Sequence, residues 1–342
     1  MLTVFSPEHK LHDAKTELSG GELVAPYECP ARAEYVLKQI RQVGLGDVVT
    51  PEVFGLDPIL RVHDPRYVEF LRDFWPQWRA AGNRGEGLPS VMPTRGMRQR
   101  VPQNINGKIG YYAMAAETAI TAGTWSAVQT SANVALTAQA MVGTEKTSAF
   151  ALCRPPGHHA TGDQYGGYCF INNVAVCAQA FLDQGAERVA VLDVDFHHGN
   201  GTQSIFYERS DVMFQSIHGD PQYAFPYFLG FADEMGAGAG EGFNHNYPLA
   251  PGAAFDVWGA ALLEACQKIE AYGPDVLAVS LGVDTFEGDP ISFFRLTSDD
   301  FKRYGAILAG LKLPTLFVME GGYAVREIGV NTVNVLTGFV SS

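Results

Sequence analysis

Asp193-Val-Asp-Phe-His-His-Gly-Asn-Gly201 is the stretch that says most about the fold of this 342-residue chain, because it directly follows the apolar run Arg188-Val-Ala-Val-Leu192. Residues two positions apart in a β-strand point to the same side, so Asp195 and His197 can bind one ion. Zn²⁺ accepts such oxygen and nitrogen ligands, and a catalytic zinc site needs only three ligands from the protein. The stretch therefore predicts a metal-dependent hydrolase.

Several other apolar segments end in polar residues or glycine in the same way. The segments are 148–153, 188–193, 276–281 and 314–320, with 211–217 as a further strand. Long apolar runs of this kind are typical of parallel strands that are buried on both faces. Helical patterns over 173–182 and 255–272 lie between them. The alternation predicts an α/β fold: a three-layer, mostly parallel, doubly wound sheet with helices on both faces.

Residues with reactive side chains follow four of these predicted strands. They are His158 and His159 after the first, Asp195 and His197 after the second, Asp284 after the third, and Glu320-Gly-Gly-Tyr323 at the end of the fourth. Ligand sites of open α/β sheets lie outside the carboxyl ends of the strands. We therefore expect these residues to meet in one site.

The composition is that of a globular protein, with 46% apolar and 11% aromatic residues. We expect residues 1–342 to form a single domain. Five scattered cysteines without a C-x-x-C pair argue against a disulfide framework and favour a reducing, cytoplasmic location. The amino terminus does not resemble a signal peptide, and no apolar run is long enough to span a membrane, so we expect no membrane partner. The net charge of −13 disfavours nucleic acid as a partner and suits a small cationic substrate.

One segment, at about 81–104, interrupts the regular pattern. It is rich in glycine, proline and arginine and shows no period. A long segment of this kind inside a compact domain is usually functional or forms an interface. We interpret it as a loop insert that contacts a second subunit or covers the site.

Five motifs together resemble those of the zinc-dependent deacetylase family, which has an arginase-like fold. The motifs are Arg154-Pro-Pro-Gly-His158-His159, Asp193-x-Asp195-x-His197-His198-Gly-Asn200-Gly, Ser280-Leu-Gly-Val-Asp284, Asp289-Pro and Glu320-Gly-Gly-Tyr323. They occur in the family's order, and the resemblance covers nearly the whole chain. Lys15-Thr-Glu17, the insert and the stretch 110–119 are most similar to the bacterial acetylpolyamine amidohydrolase branch.

The resemblance implies three metal ligands and five catalytic residues. The implied ligands are Asp195, His197 and Asp284, which would hold Zn²⁺, with Fe²⁺ as the alternative. The implied catalytic residues are His158 paired with Asp193, His159 paired with Asn200, and Tyr323. A carboxylate partner raises the pKa of a histidine more than an amide does, so we expect His158 to remain cationic and His159 to transfer the proton. The Tyr323 hydroxyl would donate to the amide carbonyl.

The resemblance also implies residues that contact the substrate. They are Glu17, Glu117, Gly167, Tyr168 and Phe225. Aromatic walls suit a slender alkyl chain and a cation, although Phe225 could equally be a core residue and the two glutamates could be solvated surface residues. The helix-like pattern over 109–122 would allow Glu117 to reach the channel of a partner subunit. Asn106 stands where this branch tends to carry an acidic residue.

Structural monovalent cations, K⁺ or Na⁺, are implied at two sites. The first would use Asp193, Asp195, His197, Ser216 and Ile217, and the second Phe206, Arg209 and Val212. Asp193 and Ser216 could instead be ordinary hydrogen-bonded core residues. Arg32 and Arg154 would line an internal exit for acetate.

The sequence as a whole predicts zinc-dependent hydrolysis of the acetyl amide of acetylated polyamines, such as acetylputrescine, acetylcadaverine and acetylspermidine. The substrate would be a small cationic amine, and the insert would join two chains in a homodimer. A protein lysine deacetylase is the alternative, which a narrowed entrance disfavours. A metal-free binding module is disfavoured because every implied ligand is present, and a binuclear manganese enzyme because the sequence offers no second set of ligands.

Overall fold

A parallel sheet forms the centre of the molecule in the computed structural model, which describes residues 1–143 and 147–342. The strands in this part of the chain are β1 (Leu2–Val4), β2 (Glu17–Ser19), β3 (Glu22–Val24), β4 (Val48–Val49), β5 (Ser148–Ala151), β6 (Val189–Asp193), β7 (Val212–Gly219), β8 (Asn244–Leu249), β9 (Val276–Leu281) and β10 (Thr315–Met319). The sheet has the order β4-β1-β5-β10-β9-β6-β7-β8, and each neighbouring pair is parallel. Strands β2 and β3 form a separate antiparallel hairpin.

Helices cover both faces of this sheet. The α-helices in the described ranges are α1 (Ala31–Val43), α2 (Asp57–Leu60), α3 (Pro65–Ala80), α4 (Ile105–Tyr111), α5 (Thr124–Met141), α6 (Asn173–Asp183), α7 (Asn200–Phe206), α8 (Phe255–Tyr272), α9 (Ser298–Ala309) and α10 (Ile328–Val340). Local sequence sets several ends. The Asn172 side chain caps α6, Thr297 and Asp300 form a capping box at α9, and Gly44 ends α1 in the left-handed region.

Alternate residues of the central strands face two different cores. In β10, Phe317 and Met319 pack in the core shared with α1, α8, α9 and α10. Leu316 and Val318 point the other way, into the core shared with α5 and α6. Because both faces are covered, the strands are apolar throughout, as the sequence predicts. The predicted three-layer α/β architecture is confirmed.

One predicted element is wrong. The helical pattern over 109–122 corresponds to α4, which begins at Ile105 and ends at Tyr111. Beyond it the main chain pairs with distant loops: Met114 N–H donates to the Tyr165 carbonyl at 2.8 Å, and Tyr165 N–H donates to the Tyr112 carbonyl at 2.8 Å. These tertiary hydrogen bonds replace the bonds of a continuing helix, so that the stretch carrying Glu117 is irregular.

The insert at about 81–104 has no helix or strand in the structure and crosses the surface next to α3 and α4. Gly87 pairs with Ile120 through two main-chain hydrogen bonds of 2.8 and 2.9 Å. The role of the insert, to contact a second subunit or to cover the site, stays a prediction. None of the helices over residues 1–143 and 147–342 has the length and apolar character needed to cross a membrane.

Candidate active site

The carboxyl ends of four neighbouring strands, β5, β10, β9 and β6, deliver the predicted catalytic residues to one place. Asp195, His197 and Asp284 form a cluster there whose ligand atoms lie within 4.8 Å of one another. His197 Nδ1 lies 3.0 Å from Asp284 Oδ2 and 3.3 Å from Asp195 Oδ1. Ligand atoms of a tetrahedral zinc site, at about 2.0–2.1 Å from the ion, are about 3.3 Å apart. The donor set and its spacing therefore fit one divalent ion.

The charges of this cluster also favour a cation. Asp195 and Asp284 are both fully buried. Burial and the neighbouring Asp195 carboxylate raise the pKa of Asp284 to about 8. Two buried carboxylates in contact are unfavourable unless a positive charge lies between them. A divalent ion would supply that charge.

A second cluster corrects the expectation that one set of ligands is present. His158, Cys169 and Glu320 also place their ligand atoms within 4.8 Å of one another. Cys169 comes from a loop outside the quoted motifs. The His158 ring and the Glu320 carboxylate already have hydrogen-bond partners. Burial raises the pKa of the Cys169 thiol well above its ordinary value, which makes it a poor ligand.

The paired histidines have different partners, as the resemblance implies. His158 Nδ1 lies 2.9 Å from Asp193 Oδ2, whereas His159 Nδ1 lies 2.7 Å from Asn200 Oδ1. Burial alone would lower the pKa of His158, but the carboxylates of Asp195 and Asp193 raise it to about 10. Burial, together with the positive charges of His158 and His197, lowers the pKa of His159 well below its ordinary value. These surroundings therefore favour a cationic His158 and a neutral His159.

The loop before these histidines is held by a buried carboxylate. Glu320 Oε2 accepts the N–H groups of Gly157 at 2.6 Å and His158 at 3.1 Å. The side chain of Glu320 is fully buried. Its contacts join the end of β10 to the loop after β5, so the histidine pair and Tyr323 have a common support.

Tyr323 lines the same pocket as His159 and His197. Its ring centre lies 6.5 Å from that of His197, and Arg32 Cζ lies 4.8 Å from the ring centre. Asp289 Oδ2 accepts the main-chain N–H of Tyr323 at 2.6 Å. Burial raises the pKa of the Tyr323 phenol well above its ordinary value, so the hydroxyl keeps its proton and can donate it in a hydrogen bond.

The pocket has a volume of about 330 Å³ and contains every residue predicted to contact the substrate. Its lining comprises Glu17, Leu18, Ser19, Gly20, Glu117, His159, Gly167, Tyr168, Phe196, His197, Tyr223, Ala224, Phe225, Tyr227, Ile291, Phe293 and Tyr323. Phe225 lies edge-on to His159, with ring centres 5.0 Å apart, so it belongs to the pocket and not to the core. Glu117 lines the pocket of its own chain, which corrects the expectation that it reaches a partner's channel.

The two carboxylates in the pocket, those of Glu17 and Glu117, accept hydrogen bonds from neighbouring parts of the protein. Glu17 is buried and accepts hydrogen bonds from the Tyr168 hydroxyl at 3.0 Å and the Tyr27 N–H at 3.1 Å. Glu117 accepts the Gly167 N–H at 2.7 Å. Burial, and to a smaller extent the charge of Glu117, raises the pKa of Glu17. A cation in the pocket would relieve this cost.

Gly167 and Tyr168 both have positive φ, +55° and +66°. A Cβ atom on Gly167 would lie 2.3 Å from Cδ2 of His159. Such an approach is possible only for glycine. The His159 ring can therefore occupy its position because residue 167 is a glycine.

Gly167→Ala is expected to lower kcat by about tenfold or more, because the new methyl group must push the His159 ring away from Asn200. Gly44→Ala is the matched control, since Gly44 also has positive φ, +65°, but its Cβ would meet nothing within 4 Å. In both variants an alanine must adopt a positive φ, which costs backbone energy, but Gly167→Ala also changes the site. Equal turnover by the two folded variants would contradict the prediction.

Two buried arginines share one buried carboxylate beneath the site. Arg154 donates from Nε and Nη2 to the two oxygens of Glu28 at 2.7 and 2.9 Å, and Arg32 Nη1 donates to Oε1 at 3.0 Å. The other guanidinium N–H groups donate to main-chain carbonyls of His9, His12, Glu320 and Gly322. Burial alone would raise the pKa of Glu28, but Arg154 and Arg32 lower it to about 2. The predicted acetate exit past Arg32 and Arg154 stays a prediction.

Glu28→Gln is expected to lower the free energy of unfolding at pH 7 by about 3 kcal/mol. A carboxylate whose folded pKa is depressed from 4.5 to about 2 contributes stability above pH 4.5, and this contribution disappears as the pH falls toward 2. The difference between wild type and variant, measured by urea unfolding from pH 7 to pH 3, is therefore expected to shrink below pH 4.5. A difference that stays constant with pH would contradict this assignment.

Three residues that support the site have no assigned role in the sequence-based set. Glu28 lies outside the quoted motifs, whereas Asp289 and Glu320 stand in them, and only their contacts reveal what their side chains bind. The pocket lining formed by Phe196, Ile291 and Phe293 is also missed. A buried arginine such as Arg154, directly after an apolar strand, requires a buried anion as its partner. The sequence therefore indicates that a carboxylate such as Glu28 must lie nearby.

The residues predicted to bind monovalent cations lie on or next to the neighbouring strands β6 and β7. Asp193 and Ser216 are paired on β6 and β7. Ser216 Oγ lies 2.8 Å from His218 Nδ1, and Asp193 Oδ1 accepts the N–H of Asp195. Phe206, Arg209 and Val212 lie between the end of α7 and the start of β7. Both sites stay predictions.

A family model described as the histone deacetylase domain matches residues 26–339. The chain belongs to the histone deacetylase family. Acetylpolyamine amidohydrolase 1 of Pseudomonas aeruginosa is 56% identical over 341 residues, which are 99% of both chains. The acetylpolyamine amidohydrolase of Mycoplana ramosa is 54% identical over 338 residues, again 99% of both.

A solved structure of this histone deacetylase family is similar over the whole chain. The crystal structure of acetylpolyamine aminohydrolase from Burkholderia pseudomallei matches with a TM-score of 0.94 and 38% identity, covering 99% of this chain and 98% of that one. As a member of the histone deacetylase family, the protein is a hydrolase that acts on amides. The predicted family and fold are confirmed.

Proposed function

We propose that this protein removes the acetyl group from acetylated polyamines in a zinc-dependent reaction. The observation that carries the proposal is that Glu17 and Glu117 line the same pocket as His159 and Tyr323. Carboxylates in a pocket suit an ammonium group, while the histidine and tyrosine in the same pocket suit an amide. The relatives named as acetylpolyamine amidohydrolases support this substrate class.

Asp195, His197 and Asp284 would hold the metal. A bound Zn²⁺ would polarise the amide carbonyl and lower the pKa of a water molecule. Two carboxylates and one imidazole suit zinc, and Fe²⁺ is the alternative that the same ligands would accept.

The chain's own residues would then divide the proton transfers. His159 Nδ1–H donates to Asn200, which leaves Nε2 free to take a proton and later give it to the leaving amine. His158, held cationic by Asp193, would supply a fixed positive charge beside the reacting carbonyl. The Tyr323 hydroxyl would donate to the carbonyl oxygen as negative charge develops on it. Phe225, Tyr168 and Gly167 would confine the alkyl chain.

A protein lysine deacetylase remains the second candidate, because acetyl-lysine carries the same amide on an alkyl chain. The β2–β3 hairpin and Tyr223 and Tyr227 border the pocket and favour a small substrate. Acetate release from acetylputrescine, acetylcadaverine and acetylspermidine, compared with an acetyl-lysine peptide, tests the proposal on zinc-loaded enzyme. We expect faster turnover of the small amines. Preference for the peptide would establish the lysine deacetylase alternative.

Four further features of the protein belong to this proposal. They are a single domain over residues 1–342, a homodimer formed through the insert, a cytoplasmic location and structural K⁺ or Na⁺ ions. The eight-stranded sheet includes both β1, near the amino terminus, and β10, near the carboxyl terminus, which supports the single domain. Val91 and Met97 in the insert are 59% and 72% exposed, which supports a subunit contact. Sedimentation at two protein concentrations would test the dimer.

A further inference from the structure

One carboxylate of the insert holds the segment that leads into the pocket. Glu86 Oε1 accepts the main-chain N–H of Lys15 at 2.8 Å. Its Oε2 accepts the main-chain N–H of Thr16 at 3.0 Å and the Thr16 hydroxyl at 2.7 Å. Three donors on two successive residues therefore fix the backbone at the start of β2.

The residue directly after Thr16 is Glu17, whose carboxylate lies in the pocket. Glu17 has its own partners, Tyr168 and Tyr27, on two other segments. Its position also depends on where the main chain enters β2, and Glu86, 70 residues beyond Thr16 in sequence, holds the main chain at that point. A shift of the Thr16 backbone would move the Glu17 carboxylate relative to Tyr168.

The neighbouring residue connects the insert to the segment of the second pocket carboxylate. Gly87 pairs with Ile120, three residues beyond Glu117. A Cβ atom on Gly87 would lie 2.5 Å from Cζ of Phe74 in α3, so the main chain at this point lies directly against a core helix. Residues 86 and 87 therefore place the segments of Glu17 and Glu117 against one rigid support.

We propose that Glu86 is a positioning residue that sets the preference for a cationic substrate by holding Glu17 at the pocket. The inference rests on the proposed function, because it assumes that Glu17 faces the substrate's ammonium group. Glu86 acts through the backbone of Lys15 and Thr16 and does not line the pocket itself. Its loss is therefore expected to change binding of the charged end and to leave the amide chemistry intact.

The test compares Glu86→Gln with wild type on two substrates, acetylputrescine and N-butylacetamide, which has the same chain length but lacks the amine. Glutamine keeps the size of the side chain and cannot accept hydrogen bonds on both terminal atoms. We expect KM for acetylputrescine to rise about 5- to 10-fold, with kcat for both substrates and KM for N-butylacetamide unchanged. Glu22→Gln is the matched control, since it also removes one carboxylate, from an exposed position on the β2–β3 hairpin that Glu86 holds, and is expected to behave as wild type.

A double-substitution cycle separates positioning from general destabilisation. In a Glu17→Gln background, Glu86→Gln is expected to have no further effect on KM, because the two residues act in series. Thr16→Val, which removes one of the three donors, is expected to raise KM in the same direction by a smaller factor. It provides the same test if Glu86→Gln fails to fold.

Each other outcome overturns a specific statement. Equal loss of activity on both substrates, an unchanged KM in folded Glu86→Gln and Thr16→Val, or a full effect in the Glu17→Gln background would overturn the role of Glu86 and leave the proposed function in place. A wild-type enzyme that hydrolyses N-butylacetamide as efficiently as acetylputrescine would overturn the proposed function, and with it this inference.

Discussion

Tyr323→Phe is expected to lower kcat by about 10²- to 10³-fold, because the hydroxyl is the group placed to donate a hydrogen bond to the developing oxyanion. Phenylalanine keeps the ring that Arg32 and Tyr168 contact, so the pocket is expected to stay intact. The loss is therefore expected in kcat, with KM within about twofold of wild type. Acetate release under saturating acetylputrescine measures it.

Tyr227→Phe is the matched control for this prediction. Tyr227 also borders the pocket but is 53% exposed at its mouth, so removal of its hydroxyl is expected to change kcat by less than about twofold. Equal turnover by Tyr323→Phe and wild type would exclude the oxyanion role. A large rise in KM alone would assign the hydroxyl to substrate binding instead.

His159→Ala is expected to lower kcat by about 10²- to 10⁴-fold, since the neutral imidazole is the group that can accept and return a proton in the pocket. The residue is 3% exposed, and its Nδ1 is committed to Asn200, so Nε2 remains available to the substrate. Steady-state kinetics on metal-loaded protein measures the change in kcat. The metal content of each variant is measured as well, so that a loss of bound metal is not mistaken for a loss of proton transfer.

His245→Ala provides the histidine control, because His245 lies on the edge strand β8, away from the pocket lining. It is expected to keep wild-type kcat. Retention of more than a tenth of the activity by metal-loaded His159→Ala would move the proton transfer to another group. His158, the neighbouring imidazole, is then the first residue to test.

The sequence predicts the sheet well because its strands are buried on both faces. Residues 276–281 and 255–272 are predicted with the same bounds as β9 and α8. The strand is visible from its composition because every position in it is buried, and the helix is visible from the spacing of its buried positions. The placement of Asp195, His197 and Asp284 at strand ends follows from the same pattern.

The irregular parts of the site are less predictable, for a physical reason. The stretch 112–120 has helix-forming residues, yet its main-chain groups bond to Tyr165 and Gly87, which are distant in sequence. The shared carboxylate of Glu28 likewise depends on contacts with Arg154 from another segment. Local propensity carries no information on such pairings, so tertiary contacts decide them.

The central position of β10 has a consequence for how the enzyme is made. This strand is the last of the described chain, yet it lies between β5, which leads to His158 and His159, and β9, which leads to Asp284. Until β10 is inserted, the strands β4-β1-β5 and the strands β9-β6-β7-β8 do not pair with each other. During synthesis the ribosome must therefore release residues 315–319 before the half of the sheet that leads to His158 and His159 can meet the half that leads to Asp195 and Asp284. With the residue roles proposed above, a nascent chain is expected to gain activity only after this strand has been added.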